Sequence, residues 1–118
     1  PDKEDWIAER KPIARFAHMT DEQRAKAAVE NPAYGKIICR CETVTQAEVE
    51  QAIDRTLGRV TIDGVKRRTR CGMGRCQGGF CMMRVAEIIH KKTGMSMESI
   101  TKKGAGSALC VEEDTLCR

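Results

Sequence analysis

The residues best suited to chemistry in this sequence are its seven cysteines. Cys39 and Cys41 are separated by one residue, and Cys76 and Cys81 are separated by four. A [2Fe-2S] cluster needs two close pairs of thiolates, because each tetrahedral iron takes two bridging sulfides and two cysteine sulfurs. Each of the two cysteine pairs can chelate one iron. The spacing therefore predicts a two-iron centre held by these four side chains.

Spacing alone leaves two alternatives open. Cys71 lies five positions before Cys76, so these two residues can also form the second pair. Four cysteines can equally hold a tetrahedral structural zinc ion. Zinc ribbons usually space their ligands as CxxC, whereas this chain has CxC and CxxxxC, so the pattern favours iron and sulfide over zinc.

The second cysteine group lies in a glycine-rich segment, CGMGRCQGGFC, with four glycines between positions 72 and 79. Glycine permits tight loops in which backbone N–H groups are exposed and can approach sulfur closely. A cluster with four thiolates carries net negative charge, so cations and N–H donors around it should raise its reduction potential. The residues predicted to surround the ligands in this way are Arg40, Gly74, Arg75 and Gly78.

Helix signals position these cysteine loops. Thr20 with Gln23 and Thr45 with Glu48 stand at capping-box spacing, which marks two helix starts. Together with hydrophobic periodicity and glycine stops, they predict helices over residues 21–30, 46–57, 61–70 and 79–93. The segment KIICRCE, residues 36–42, alternates too little for an exposed strand and is predicted as a loop leading into the second helix.

These elements predict an all-α fold: a small, helix-turn-helix-like domain with cysteine-bearing loops around a [2Fe-2S] cluster, preceded by an N-terminal helical arm. The expected division is an arm or linker over residues 1–35, the cluster-binding domain over 36–107 and a tail over 108–118. Cys110 and Cys117 fall in the tail and are expected to be free thiols.

Composition limits the function further. A chain of 118 residues accommodates one small domain and no complete nucleotide-binding dehydrogenase domain, and its start at Pro1 suggests a piece of a longer protein. The sequence has no apolar run of membrane-spanning length and no signal peptide, so we expect a cytoplasmic protein without membrane insertion. The basic run from Lys66 to Arg70 is expected to be a solvated helix face rather than a nucleic-acid site, because net charge is only +4 and aromatic residues are 3%.

Three segments, CRCETVT, KRRTRCGMGRCQGGFC and ITKKGAGS, resemble the bacterioferritin-associated-ferredoxin-like [2Fe-2S] domain. The particular form is similar to the one at the C-terminus of FAD-dependent, anaerobic-type glycerol-3-phosphate dehydrogenases. The resemblance implies that the ligands are Cys39, Cys41, Cys76 and Cys81, since the family pattern often has alanine at the position of Cys71. It also implies a small helical fold around the cluster.

The function implied by this resemblance is electron transfer, with no catalytic residue in the chain itself. Electrons would pass from FAD in an upstream flavin domain of the same polypeptide to an acceptor protein or subunit, while the parent enzyme oxidises sn-glycerol 3-phosphate to dihydroxyacetone phosphate. The contrasting hypothesis is a structural or redox-sensing module, with an iron-sulfur cluster or a four-cysteine zinc ion, that controls assembly instead of carrying electrons.

Overall fold

Four α-helices and one short β-hairpin make up the regular structure of the computed structural model, which describes residues 3–6 and 9–110. The four predicted helices are present, whereas the hairpin was not predicted, so the all-α prediction agrees with the structure only in part. The helices are α1 Asp21–Glu30, α2 Gln46–Asp54, α3 Ile62–Thr69 and α4 Met82–Thr93; the strands are β1 Ile37–Cys39 and β2 Val44–Thr45; single 3-10 turns lie at Phe16–His18, Pro32–Gly35 and Met97–Ser99.

The hairpin occupies the segment that the sequence predicted as a loop. β1 and β2 pair in antiparallel fashion, with Ile37 opposite Thr45 and Cys39 opposite Val44, and the register is irregular between the two pairs. Strands of three and two residues are too short to show a period of two in the sequence, so the pattern gave no strand signal. Because the strands turn back at residues 40–43, Cys39 lies at a strand end and Cys41 in the turn.

Both predicted capping boxes are confirmed. The Thr20 side chain accepts from the Gln23 backbone N–H, and the Thr45 side chain accepts from that of Glu48; in each case the second side chain accepts from the cap backbone in return. Thr61 caps α3 in the simpler way, by accepting from the Gly64 N–H. These local hydrogen bonds fix where three of the helices start, independently of packing.

Two helix bounds differ from prediction, the end of α2 and the start of α4. α2 ends at Asp54, and Leu57, predicted as its last residue, is 94% exposed. α4 starts at Met82 rather than near residue 79, since the preceding glycine loop forms turns, and it ends as predicted at Gly94, with φ of 74°. α4 has 12 residues, and no helix in the described ranges is both long and apolar enough to cross a bilayer.

The core lies where α2 packs against α3 and α4. Its fully buried side chains are small or medium aliphatic groups, and three of its members are cysteines that also belong to the site described below. Such a core buries little apolar area for its size, which is why a metal centre is an expected second source of stability. The principal aliphatic members are Val44, Val49, Ala52, Val65, Val85, Ile89 and Ile100.

A buried carboxylate attaches the segment before β1 to the domain. Glu48 is 2% exposed, and its carboxylate accepts from the Thr45 N–H at 2.7 Å, the Thr45 hydroxyl at 2.8 Å and the Phe16 N–H at 3.3 Å. The Phe16 ring stacks with Tyr34, whose hydroxyl accepts from Gln51 of α2 at 2.8 Å. The predicted arm therefore contacts the start and middle of α2.

We expect Glu48→Ala to lower the free energy of unfolding by about 2–3 kcal/mol, because it removes the acceptor of three hydrogen bonds in a buried position. Gln23→Ala removes the matching residue of the exposed capping box and should cost only about 0.5–1 kcal/mol. Anaerobic urea titration of the cluster-loaded chain, followed by helical circular dichroism, compares the two. Equal losses would show that Glu48 contributes no more than an ordinary helix cap.

Candidate metal centre

Five cysteine side chains from separate elements converge beside the N-terminus of α4. Cys39 ends β1, Cys41 lies in the hairpin turn, Cys71 follows α3, Cys76 lies in the glycine loop and Cys81 is the N-cap of α4. Cys39, Cys71 and Cys81 are buried, Cys76 is half-buried and Cys41 is exposed. The site thus has an inner group of three thiols and an outer pair.

The outer pair joins the two cysteine motifs. The Sγ atoms of Cys41 and Cys76 are 3.6 Å apart. Two thiolates on one tetrahedral metal with bonds of about 2.3 Å lie about 3.8 Å apart, so this separation already suits a shared metal ion. This close contact joins one sulfur from each motif, whereas the sequence suggested that each motif supplies both thiolates of one iron.

The inner group contains the two remaining predicted ligands together with Cys71. The Sγ atoms of Cys39, Cys71 and Cys81 all lie within 4.8 Å of one another, and the three residues are 1%, 4% and 2% exposed. One more thiol is present than a second tetrahedral iron requires. Cys71 therefore lies in the site, but the other four cysteines are enough to form one ligand pair for each of two irons.

Close backbone approach in the glycine loop holds the outer pair in place. A Cβ atom at Gly74 would collide with the Cβ of Cys41, so only glycine lets the loop approach the hairpin turn this closely. Gly78 has φ of 81° and Gly72 of 92°, conformations that favour glycine, and these bends fold the loop around Cys76. Of the predicted surrounding residues, Gly74 and Gly78 thus shape the loop itself.

Cys76 of the outer pair lies in an electrostatic environment opposite to that of Cys71 and Cys81 in the inner group. The pKa of Cys76 is lowered by a hydrogen bond from the Phe80 backbone N–H, then by the Cys41 side chain and by the Gly78 N–H. Burial raises the pKa of Cys81, and the neighbouring Cys39 adds to this. Burial likewise raises the pKa of Cys71, followed by the charges of Cys81 and Cys39. Loop N–H groups thus favour the thiolate form of Cys76, whereas burial disfavours that of Cys71 and Cys81.

A cavity of about 470 Å³ is lined by Cys39, Cys41, Cys76 and Cys81, and its charged lining residues are Arg40 and Arg84. Phe80 also lines it and is 86% exposed, and Met83, on the first turn of α4, is 44% exposed. Arg40 had been predicted; Arg84 and Phe80 had not. Arg84 stands three residues after Cys81, on the same helix face, so helical spacing from that ligand was the signal for it. Arg75 is exposed and lies outside the cavity lining.

The tail cysteines do not join the site in the described residues. Cys110 is a half-buried free thiol and lies outside the inner sulfur group, as expected. Before it, Ala108 pairs with Thr101 and Leu109 packs against the core, so these two residues of the predicted tail belong to the packed structure. Cys117 lies outside the described residues.

Comparison with known families gives this site a cofactor. Residues 37–91, which carry all five converging cysteines, match the family of BFD-like [2Fe-2S] binding domains. This segment belongs to that family. The BFD-like domain therefore binds a [2Fe-2S] cluster, and the cysteine group and the 3.6 Å outer pair fit such a group.

Curated relatives carry the BFD-like domain within longer proteins. A glycerol 3-phosphate dehydrogenase of Caloramator mitchellensis is 44% identical over 89% of this chain and 22% of that protein. Hydrogen cyanide synthase subunit HcnB of Pseudomonas aeruginosa is 36% identical over 78% of this chain and 20% of that protein. Subunit A1 of the anaerobic glycerol-3-phosphate dehydrogenase of Haloferax volcanii is 36% identical over 65% of this chain and 13% of that protein. No solved structure gives a significant match. The chain spans about a fifth or less of these relatives.

We expect Gly74→Ala to reduce the amount of [2Fe-2S] cluster that the chain retains, because the new methyl group pushes the glycine loop away from Cys41 and separates the outer thiols. Gly35→Ala is the matched control, since a Cβ there meets no atom within 4 Å. Iron, sulfide and visible absorbance per chain after anaerobic reconstitution measure the effect. Full occupancy in Gly74→Ala would mean that the outer pair tolerates a wider separation.

Proposed function

We propose that Cys39, Cys41, Cys76 and Cys81 hold the [2Fe-2S] cluster, with one cysteine of each motif on each iron. Cys41 and Cys76 form the outer pair, which the 3.6 Å sulfur distance supports. Cys39 and Cys81 form the inner pair, which their burial and mutual distance within 4.8 Å support. This crossed arrangement ties the hairpin to the glycine loop twice, so metal binding and folding of the two segments are coupled.

The chain then functions as an electron-transfer module. When bound, the cluster supplies one-electron chemistry between a two-electron flavin and an acceptor. The observation that carries this proposal is that all four proposed ligands line one open cavity. Cys39 and Cys81 are buried and Cys41 is exposed, so a partner can approach from the side of Cys41. A purely structural staple has no need of an exposed side, because exposure makes thiolates accessible to oxidants.

The substrate belongs to the parent protein rather than to this module. Relatives with the same domain carry different printed names, a glycerol 3-phosphate dehydrogenase and a hydrogen cyanide synthase subunit, so the domain itself does not specify the substrate. We favour the oxidation of sn-glycerol 3-phosphate to dihydroxyacetone phosphate, with FAD in an upstream domain, because the 44% identical relative has that name. Residues 1–35 would then connect the flavin domain to the cluster-binding domain, 36–107, with 108–118 as the tail.

The cavity that the four proposed ligands line sets the kind of partner that can approach. Arg40 and Arg84 line it, no acidic residue does, and neither guanidinium forms an ion pair among the described residues. The exposed Phe80 ring adds an apolar contact of the kind that anchors interfaces. An acceptor with an acidic surface around an apolar recess is complementary to the opening of this cavity.

Single substitutions test the ligand set and the relay together. We expect Cys39→Ala, Cys41→Ala, Cys76→Ala and Cys81→Ala each to lose the cluster's visible absorbance and EPR signal, while Cys110→Ala retains both.

Anaerobic mixing of the loaded wild-type chain with reduced FMN should produce the EPR signal of a reduced [2Fe-2S] centre. Stoichiometric zinc without visible colour, or a loaded cluster that reduced flavin never reduces, would instead favour the structural or redox-sensing module.

The positive charge of the arginines that line the cavity should govern the rate at which small charged oxidants reach the cluster. We expect Arg40→Glu and Arg84→Glu to slow reoxidation of the reduced chain by ferricyanide several-fold and to speed reoxidation by hexaamminecobalt(III), with both effects fading as salt is added. Arg67→Glu makes the same charge change on exposed α3, away from the cavity lining. Stopped-flow absorbance gives the rates. An equal effect of Arg67→Glu would show that net charge, and not the arginines lining the cavity, sets these rates.

A further inference from the structure

A cavity that contains no cysteine collects positive charge. Its volume is about 290 Å³, and its lining comes from one segment before the helices and from the ends of two helices: Arg10, Lys11, Pro12, Ile13, Arg55 and Arg68. Four of these six residues are cationic and none is acidic. Like charges gathered around one cavity repel one another, so an anion that enters the cavity stabilises the arrangement.

Three separate elements meet at this cavity. Residues 10–13 lie before the first 3-10 turn, Arg55 is the C-cap of α2 and Arg68 lies in the last turn of α3. Ile13 packs against the core, which fixes the position of the segment before the helices. An anion bound in the cavity would therefore join this segment to the ends of both helices.

Backbone hydrogen bonds hold both arginine side chains of the helices. Arg55 Nη1 donates to the Lys11 carbonyl at 2.7 Å. Arg68 Nη1 donates to the Gly64 carbonyl at 3.1 Å, and a Cβ at Gly64 would lie 3.1 Å from this Nη1, so glycine leaves room for the guanidinium against the helix. Because a guanidinium has five N–H donors, each arginine keeps donors for a ligand. These side chains are partly ordered before a ligand binds, which lowers the entropy cost of binding.

Local negative charge balances only part of the four cations. Each helix C-terminus carries roughly half a negative charge, which favours Arg55 at the end of α2 and Arg68 at the end of α3. Two such ends offset about one of the four positive charges. The ion pairs found among the described residues include none of these cations. A positive excess therefore remains at the cavity.

We propose that this cavity binds a phosphate-bearing anion. A phosphate group offers several acceptor oxygens and close to two negative charges, so cations on different sides of it can each make a contact. A carboxylate offers only two oxygens and one charge. The cavity volume is at the lower end for ligand pockets, which suits a small molecule or one phosphate-bearing end of a larger one. This inference depends neither on the cluster nor on electron transfer.

The test is isothermal titration calorimetry of the cluster-loaded chain with two probes, sn-glycerol 3-phosphate for a phosphate ester and ADP for a diphosphate. At least one should bind one-to-one, and added salt should weaken the binding because the contacts are ionic. Adenosine, which has no phosphate, should not bind. The probe that binds more tightly identifies the kind of phosphate, and binding of neither would overturn the proposal.

Two neighbouring arginines of α3 provide a variant and its matched control. Arg68→Gln removes a charge from the cavity lining and should weaken binding about tenfold, the loss expected for a charge-assisted hydrogen bond. Arg67→Gln removes the same charge from an exposed position outside the lining and should change binding by less than about twofold. Unchanged visible absorbance checks that both variants keep the cluster. Equal losses in the two variants would mean that overall charge attracts the anion, and would reject the site.

Protection from trypsin gives a second readout, at the segment before the helices. Trypsin cleaves after arginine, and Arg10 is exposed. The bound anion should slow cleavage between Arg10 and Lys11 several-fold in the wild type and in Arg67→Gln but not in Arg68→Gln, as measured by mass spectrometry of the released fragment. Protection by a polyglutamate peptide and by neither phosphate probe would make the cavity a docking surface for an acidic protein, and the phosphate assignment would be wrong.

Discussion

The structure depends on bringing sulfur atoms from two distant segments within about 5 Å of one another in a small core. As thiolates these atoms repel, and burial makes the repulsion stronger because little solvent screens it. Metal ions reverse this balance by supplying positive charge where the sulfurs meet. The hairpin, the glycine loop and the N-terminus of α4 therefore have a common stable arrangement chiefly when that charge is present.

The rest of the fold distributes this charge unevenly. On the outer side, backbone N–H groups of the glycine loop lower the pKa of Cys76 and solvent reaches Cys41. On the inner side, burial raises the pKa of Cys81, and the neighbouring Cys39 adds to this. An electron carrier benefits from such asymmetry, because an exposed side permits contact with partners while an enclosed side holds the ligands against exchange.

Sequence reasoning found the features that local chemistry determines. Thr20 and Thr45 start helices through their own hydrogen bonds, and Gly94 ends one through its left-handed conformation, so each is readable from neighbouring residues alone. The convergence of two cysteine motifs was also readable, because cluster stoichiometry demands two pairs.

Sequence reasoning missed what only tertiary packing decides. The hairpin is stabilised by pairing across a turn that has no distinctive pattern, and α2 stops at Asp54 because nothing packs on Leu57. Which thiols face one another depends on how the glycine loop meets the hairpin, so sulfur pairing across motifs could not be derived from spacing. Spacing left Cys71 open as an alternative partner of Cys76, because spacing counts residues, whereas the position of Cys71 beside Cys39 and Cys81 is set by tertiary packing.

The buried carboxylate of Glu48 links the domain to the chain before it. Its carboxylate accepts hydrogen bonds both from the cap of α2 and from Phe16, so the start of α2 and the preceding segment share one acceptor. The residue before that cap, Val44, pairs with Cys39 in the hairpin. A displacement at Phe16 therefore acts on an element that directly holds an inner thiol. If residues 1–35 lead from a flavin domain, the hydrogen bonds of Glu48 fix the orientation of the cluster-binding cysteines relative to this connecting segment. The distance and direction of electron transfer from flavin to cluster would then be defined in part by the fold of this chain.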